Sequence, residues 1–161
     1  INGQPISFRG VNRHETHPEL GYALTREVME EDIRIMLENN ITAVRTSHYP
    51  NHPYWYYLCD KYGVYVVDEA NVECHSNMTT DNERLTEYLS AAIIDREYSM
   101  VRRDRNHASV VMWSLGNENK NPEILRFMQE KGYVEYAFTG INSIFLDKQF
   151  YEKITGVSLE G

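Results

Sequence analysis

Asp104-Arg105-Asn106-His107-Ala108-Ser109-Val110-Val111-Met112-Trp113-Ser114-Leu115-Gly116-Asn117-Glu118 decides how this chain is read. A run of apolar and β-branched residues suits a buried strand, and here it stops abruptly at an amide and a carboxylate. That pattern puts Glu118 at the open, carboxyl end of the strand. In a parallel barrel the carboxyl ends of strands are where functional groups gather.

Upstream, residues 6–118 alternate strand and helix patterns four times, the signature of a parallel sheet with crossover helices. The first strand is expected over Ile6 to Val11, closing on Asn12-Arg13-His14-Glu15. Its helix follows from about Thr25, a capping residue ahead of Glu27, Glu30, Glu31 and Asp32. Met29, Ile33, Met36 and Leu37 give that helix an apolar face. The second strand, Ile41 to Arg45, runs into Thr46-Ser47-His48-Tyr49-Pro50. Pro53 then opens a helix that Gly63 closes with a left-handed cap. The third strand, Val64 to Val67, feeds Asp68-Glu69, and a long helix from about Arg84 to Arg103 leads to the fourth strand, Val110 to Leu115.

Each strand therefore ends in ionisable or amide groups: His14 and Glu15, Arg45 and His48, Asp68 and Glu69, Asn117 and Glu118. Any one pair reads equally well as solvated loop. Four in register make one polar rim above apolar strands. A complete eight-stranded barrel needs roughly 250 residues, so 161 residues predict an incomplete (β/α)8 barrel of α/β class, with about four βα units over residues 1–119.

A net charge of −8 argues against a nucleic-acid partner, which requires a basic face. No apolar run suits a membrane span or a signal-peptide core, and Cys59 and Cys74 make no disulfide framework. A reduced, cytoplasmic protein is the expectation. The chain begins inside a strand-like stretch, so a leader on a longer precursor would be invisible here.

The decisive stretch resembles, almost letter for letter, the acid/base signature of glycoside hydrolase family 2, the family of β-galactosidase. Three further stretches resemble the same family: Arg9-Gly10-Val11-Asn12-Arg13-His14-Glu15, residues Val44 to Pro53, and Val66-Val67-Asp68-Glu69-Ala70-Asn71-Val72-Glu73-Cys74-His75. The resemblance covers residues 1 to about 119. It implies a retaining hydrolase of terminal β-linked galactose, with Glu118 as acid/base and Asn117 beside it on the sugar. It further implies that Glu73, His75 and Glu118 bind magnesium and that His14 and His48 contact galactose.

The chemistry gives these residue types separate reasons. Glycosidic cleavage needs a proton for the leaving oxygen and stabilisation of an oxocarbenium-like centre. A strand-end carboxyl with a raised pKa supplies the proton, although a bound cation would pull that pKa back. Glu73 and His75 lie two apart in an extended segment, so both side chains reach the same side. Carboxylates suit magnesium, and a histidine ligand makes manganese a credible substitute. The same alternation turns Cys74 away from them. Taken alone, a Glu-x-His pair more often marks a solvated loop.

Other residues read more plainly. Cys59 is a core thiol, His52 helps begin a helix, and His107 sits in a turn. In Tyr54-Trp55-Tyr56-Tyr57 successive helical positions point different ways, which suits packing better than a sugar platform. Trp113 faces either the barrel interior or the helices.

Residues 120–161 carry no family resemblance and read as a helical tail, with helices expected from Pro122 to Gly132 and from Ile144 to Ile154. Phe127, Phe138, Phe145 and Phe150 could cover the open edge of a half barrel. A retaining glycosidase needs a second carboxylate about 5 to 5.5 Å from the acid. Tyr133-Val134-Glu135-Tyr136-Ala137-Phe138 echoes the family's nucleophile motif, but Glu135 comes only 17 positions after Glu118, too few to hold the intervening βα units. The match at Glu135 is read as chance. A non-catalytic galactoside- or metal-binding module, a fragment completed by self-association or by a partner chain, and another metal-dependent enzyme built on Glu73, His75 and His48 remain open alternatives.

Overall fold

The computed structural model describes residues 1–73, 83–117, 126, 128–138 and 143–158. They divide into two compact units, Ile1–Val72 with Arg96–Gly116, and Glu73–Asp95 with Asn117–Gly161.

The first unit carries four strands: β1 (Gly10–Arg13), β2 (Ala43–Thr46), β3 (Tyr65–Glu69) and β4 (Val110–Ser114). They pair in parallel in chain order, as the alternation predicted. Helices α1 (Arg26–Glu38) and α2 (Pro53–Tyr62) make the first two crossovers, and α3 (Glu83–Asp104) returns the chain to β4. The first three strands begin and end one to four residues later than expected, whereas β4 begins at Val110 as expected and ends one residue earlier, at Ser114. Asn12 and Arg13 lie inside β1, and Asp68 and Glu69 inside β3.

Local signals fix the helix ends. The Thr25 hydroxyl accepts from the Val28 amide, and His52 caps α2 by accepting from the Tyr54 amide ahead of Pro53. Gly63 closes α2 at φ 72°, a left-handed conformation that costs glycine little.

Met29, Ile33 and Met36 of α1 and Trp55, Tyr56, Leu58 and Cys59 of α2 pack on Val44, Val64 and Val66. Leu37, expected on that apolar face, is exposed, because the inward stripe of α1 runs through Met29, Ile33 and Met36 alone. The aromatic run divides as its helical spacing requires, Trp55 and Tyr56 being buried and Tyr57 exposed. Cys59 is a buried thiol whose pKa burial pushes up to about 12, which leaves it unreactive. The Arg13 guanidinium lies 3.8 Å over the Trp55 ring.

In the second unit the described residues include an antiparallel pair, β5 (Tyr133–Phe138) with β6 (Ser143–Asp147), followed by α4 (Lys148–Thr155). The tail is therefore not purely helical. Ser143-Ile144-Phe145-Leu146 is short, β-branched and aromatic, a composition that pairs as readily as it coils. The expected helix begins only at Lys148. Among the described residues no helix is long and apolar enough to cross a membrane.

Candidate active site

Side chains alternate across a strand, so the register sorts the strand-end polar residues into two faces. Asn12 pairs with Arg45, and Glu69 with Ser114. These four form one hydrogen-bonded row across β1 to β4. Arg45 donates Nε to Glu69 Oε2 at 2.5 Å and Nη2 to Oε1 at 2.9 Å, and its Nη1 reaches Asn12 Oδ1 at 3.4 Å. Ser114 Oγ donates to Glu69 Oε2 at 2.6 Å.

Glu69 is fully buried, which a carboxylate tolerates only when its lone pairs are taken. Its last partner is His48, whose Nδ1 lies 2.7 Å from Oε1. Beyond β1 and β2 the loops bring rings together. His14 meets His48 edge to face at 5.3 Å between centroids, Tyr49 lies 6.2 Å from His14, and Tyr22 packs edge-on against Tyr49 at 6.1 Å. His14 and Tyr22 are exposed and His48 and Tyr49 half-buried. Imidazoles beside phenolic rings offer polar tips and flat apolar faces together, a surface suited to a sugar.

Glu15, Arg13 and Asp68, also read at strand ends, do other work. Glu15 accepts from the His52 amide at 2.9 Å, and Arg13 donates to Asn51 Oδ1 at 2.7 Å and to Asp32 at 2.9 Å. Both brace the loops from beneath. Asp68 turns to the opposite face of β3 from Glu69. There it accepts from the Tyr56 hydroxyl at 2.6 Å and from the Thr46 hydroxyl at 3.2 Å. Burial first, and Asp104 nearby, raise its pKa to about 7. Burial and the Asp68 charge drive the Tyr56 phenol far above its usual range. Trp113 pairs with Asp68 in register and so shares the face turned from Glu69. His107 joins Asp60 at 2.6 Å, a tie between α2 and the approach to β4.

Glu97 of α3 is a further carboxyl, half-buried. Burial, and secondarily the charge of Glu69, pushes its pKa up to about 8, and its Oε1 has no hydrogen-bond partner among the described residues.

Past β4, Gly116 adopts φ 120°, and a Cβ there would stand 2.2 Å from the Val72 carbonyl oxygen. Only glycine fits that crossing. The second unit then opens with a parallel bridge between Glu73 and Asn117, in which Asn117 Nδ2 donates to Glu73 Oε1 at 3.5 Å. Glu73 is exposed and Asn117 buried.

The structure thus joins His14 with His48 and Glu73 with Asn117. Glu118, His75 and Cys74 lie outside the described residues, and so do Phe127 and the segment 118–125 that was expected to start a helix. Among the described residues no group of three or more His, Cys, Asp or Glu is arranged to hold a metal ion. Glu73 is the one residue of the implied metal set that is described. Its exposed carboxylate is the hard oxygen donor that magnesium prefers. Glu135 lies exposed on β5.

Tyr49, Tyr22 and the anchoring role of Glu69 were not singled out from sequence. Tyr49 and Glu69 stand inside the quoted stretches, where the signal was present. Tyr22 carries none.

The described fold resembles solved structures of the Ruminococcus gnavus β-glucuronidase. One, in complex with a C6-substituted uronic isofagomine, matches at TM-score 0.70 and 30% identity over 78% of this chain and 22% of that one. Another matches at TM-score 0.72 and 27% identity, over 78% and 23%. In sequence the chain is 52% identical over 124 residues to a β-galactosidase of Vibrio cholerae serotype O1, and 52% identical over 119 residues to one of Photobacterium profundum. Each match takes in 74% of this chain and 12% of the relative, so the chain spans about an eighth of the length of these relatives. Residues 1–133 match the family described as glycosyl hydrolases family 2, TIM barrel domain. With four parallel strands in barrel order beneath that match, the chain belongs to glycoside hydrolase family 2.

Proposed function

We propose that the chain acts in the hydrolysis of terminal β-D-galactose residues from β-galactosides. The observation that carries this reading is the cluster at the carboxyl end of β1 and β2, where His14 and His48 meet at 5.3 Å beside the ion pair of half-buried Arg45 with buried Glu69. The 52% identity to two β-galactosidases supports galactose over other sugars.

On this reading Glu118 donates a proton to the leaving oxygen and then withdraws one from water, as a retaining mechanism requires of its acid/base. Asn117, His14 and His48 contact the galactose and hold it as charge develops at the anomeric carbon. Glu73, His75 and Glu118 would hold Mg2+, or Mn2+, which when bound supplies positive charge beside the acid/base. The second carboxylate of the retaining pair is assigned to no residue of this chain.

A second reading is favoured by one observation. The described parallel sheet ends in β1 and β4, each with one edge unpaired, whereas the family's barrel closes with eight strands. A partner segment supplying further strands would pair those edges and complete the site. This chain would then be a galactoside- and metal-binding component, inactive by itself.

A panel of chromogenic aryl glycosides tests the substrate. Cleavage of the β-galactoside in magnesium well ahead of the β-glucuronide and β-glucoside is expected. Preference for the glucuronide would overturn the galactoside assignment. Binding of a galactoside without cleavage by the folded chain would select the second reading.

A further inference from the structure

We infer that Glu69 is a positioning residue that fixes His48 in its Nδ1–H tautomer, so that His48 meets a sugar hydroxyl as an acceptor through Nε2. The inference deepens the galactoside reading and rests on it for the identity of the sugar. Its structural half stands on the Glu69 geometry alone.

An ionised carboxylate accepts hydrogen bonds and cannot donate them. With the guanidinium of Arg45 on both oxygens and the Ser114 hydroxyl on Oε2, Glu69 acts as acceptor throughout. A ring nitrogen 2.7 Å from Oε1 must therefore carry its proton. Arg45 Nη2 also lies 3.4 Å from Nδ1, but guanidinium only donates and cannot take the place of the carboxylate. In the neutral ring the proton on Nδ1 leaves Nε2 with the lone pair. Glu69 has little freedom to choose otherwise. It is fully buried, and its side chain is locked across β2, β3 and β4 by Arg45 and Ser114.

The consequence is directional. A galactose hydroxyl meeting Nε2 of His48 donates to it, which suits a group that must release a sugar oxygen's proton density toward the protein as charge builds on the ring. The edge-on contact with His14 limits rotation of the His48 ring about its long axis, so the tautomer and the orientation are set together.

Long-range 1H–15N correlation spectra of the 15N-histidine-labelled chain, with His48 assigned by its absence in His48→Gln, read the tautomer directly at pH 8. The expected result is a protonated Nδ1 and an unprotonated Nε2 at His48. In Glu69→Gln, which offers one acceptor oxygen where four donors converge, the Nε2–H form should gain population while the circular dichroism stays folded. An Nε2–H ring in the wild type overturns the inference, and so does a tautomer unchanged in a folded Glu69→Gln. If Glu69→Gln does not fold, the wild-type spectrum decides alone. Methyl β-galactoside added to the wild type is a separate arm. Shifts at His48 support the sugar reading, and their absence removes that reading while the tautomer result stands on its own.

Discussion

Arg45 Nε and Nη2 grip the two carboxylate oxygens of Glu69 at 2.5 and 2.9 Å, a bidentate ion pair between adjacent parallel strands with its acid fully buried. Such a pair adds little net stability compared with apolar packing, but breaking it leaves an uncompensated buried charge. Arg45→Ala should therefore lower the unfolding free energy by about 3–5 kcal/mol, read from urea melts. Arg45→Lys keeps the charge but not the fork and should lose less. Equal stability of Arg45→Ala and wild type would remove Glu69 as the anchor of the site.

Gly116 should accept no side chain. Its φ of 120° and the 2.2 Å approach to the Val72 carbonyl combine backbone strain, on the order of 1–3 kcal/mol, with a steric overlap that only main-chain movement can relieve. Gly116→Ala should destabilise by more than about 2 kcal/mol and shift the amide resonances of Val72 in a 1H–15N spectrum. A variant as stable as wild type would contradict this crossing.

Two carboxyls with raised pKa values make stability fall as pH rises. An unfolded aspartate titrates near 3.8, whereas Asp68 keeps its proton to about 7. For Glu97 the corresponding values are 4.5 and about 8. Well below the unfolded pKa values both states of each group are protonated and the fold carries no ionisation penalty. As pH climbs toward 7 and then 8, the unfolded chain ionises while the folded chain resists, and stability is lost until the folded groups titrate too. Urea midpoints of Glu97→Gln and wild type should diverge in favour of the variant between pH 5 and pH 8.5. A constant difference would mean that Glu97 titrates like a surface acid.

Trp55 is the largest side chain of the core and is fully buried, with the Arg13 guanidinium on its face. Trp55→Ala should cost about 3–5 kcal/mol, and it should also release Arg13 from beneath the β1 and β2 loops. Histidine resonances of His14 and His48 would broaden or move as a result. A large loss of stability without any change at those rings would mean that the loops are held from elsewhere.

The crossover pattern and the helix-end signals at Thr25, Pro53 and Gly63 were legible in the sequence, because each rests on local spacing, whereas the contact of His14 with His48 spans two strand ends and comes from the strand pairing. The division of labour between Asp68 and Glu69 was not. Adjacent strand residues face opposite ways, and which of the two acids turns inward depends on register with β2 and β4, information held by the pairing partners. The tail failed for another reason. Residues 143–147 are too short a run for period to separate strand from helix, and their pairing with Tyr133–Phe138 settles the matter through a contact that no local signal announces. Leu37 fell on the predicted apolar face but outside the stripe that α1 actually buries.

Leaving-group dependence of aryl β-galactoside hydrolysis in magnesium, compared between the wild-type chain and Glu118→Gln, tests the central claim that Glu118 is the acid/base of a galactoside hydrolase. General acid catalysis contributes on the order of 10²–10⁴-fold. The account predicts that Glu118→Gln loses about that factor with a poor leaving group and far less with an activated nitrophenol that departs unassisted. Equal rates for variant and wild type, or the same loss for both leaving groups, would contradict it.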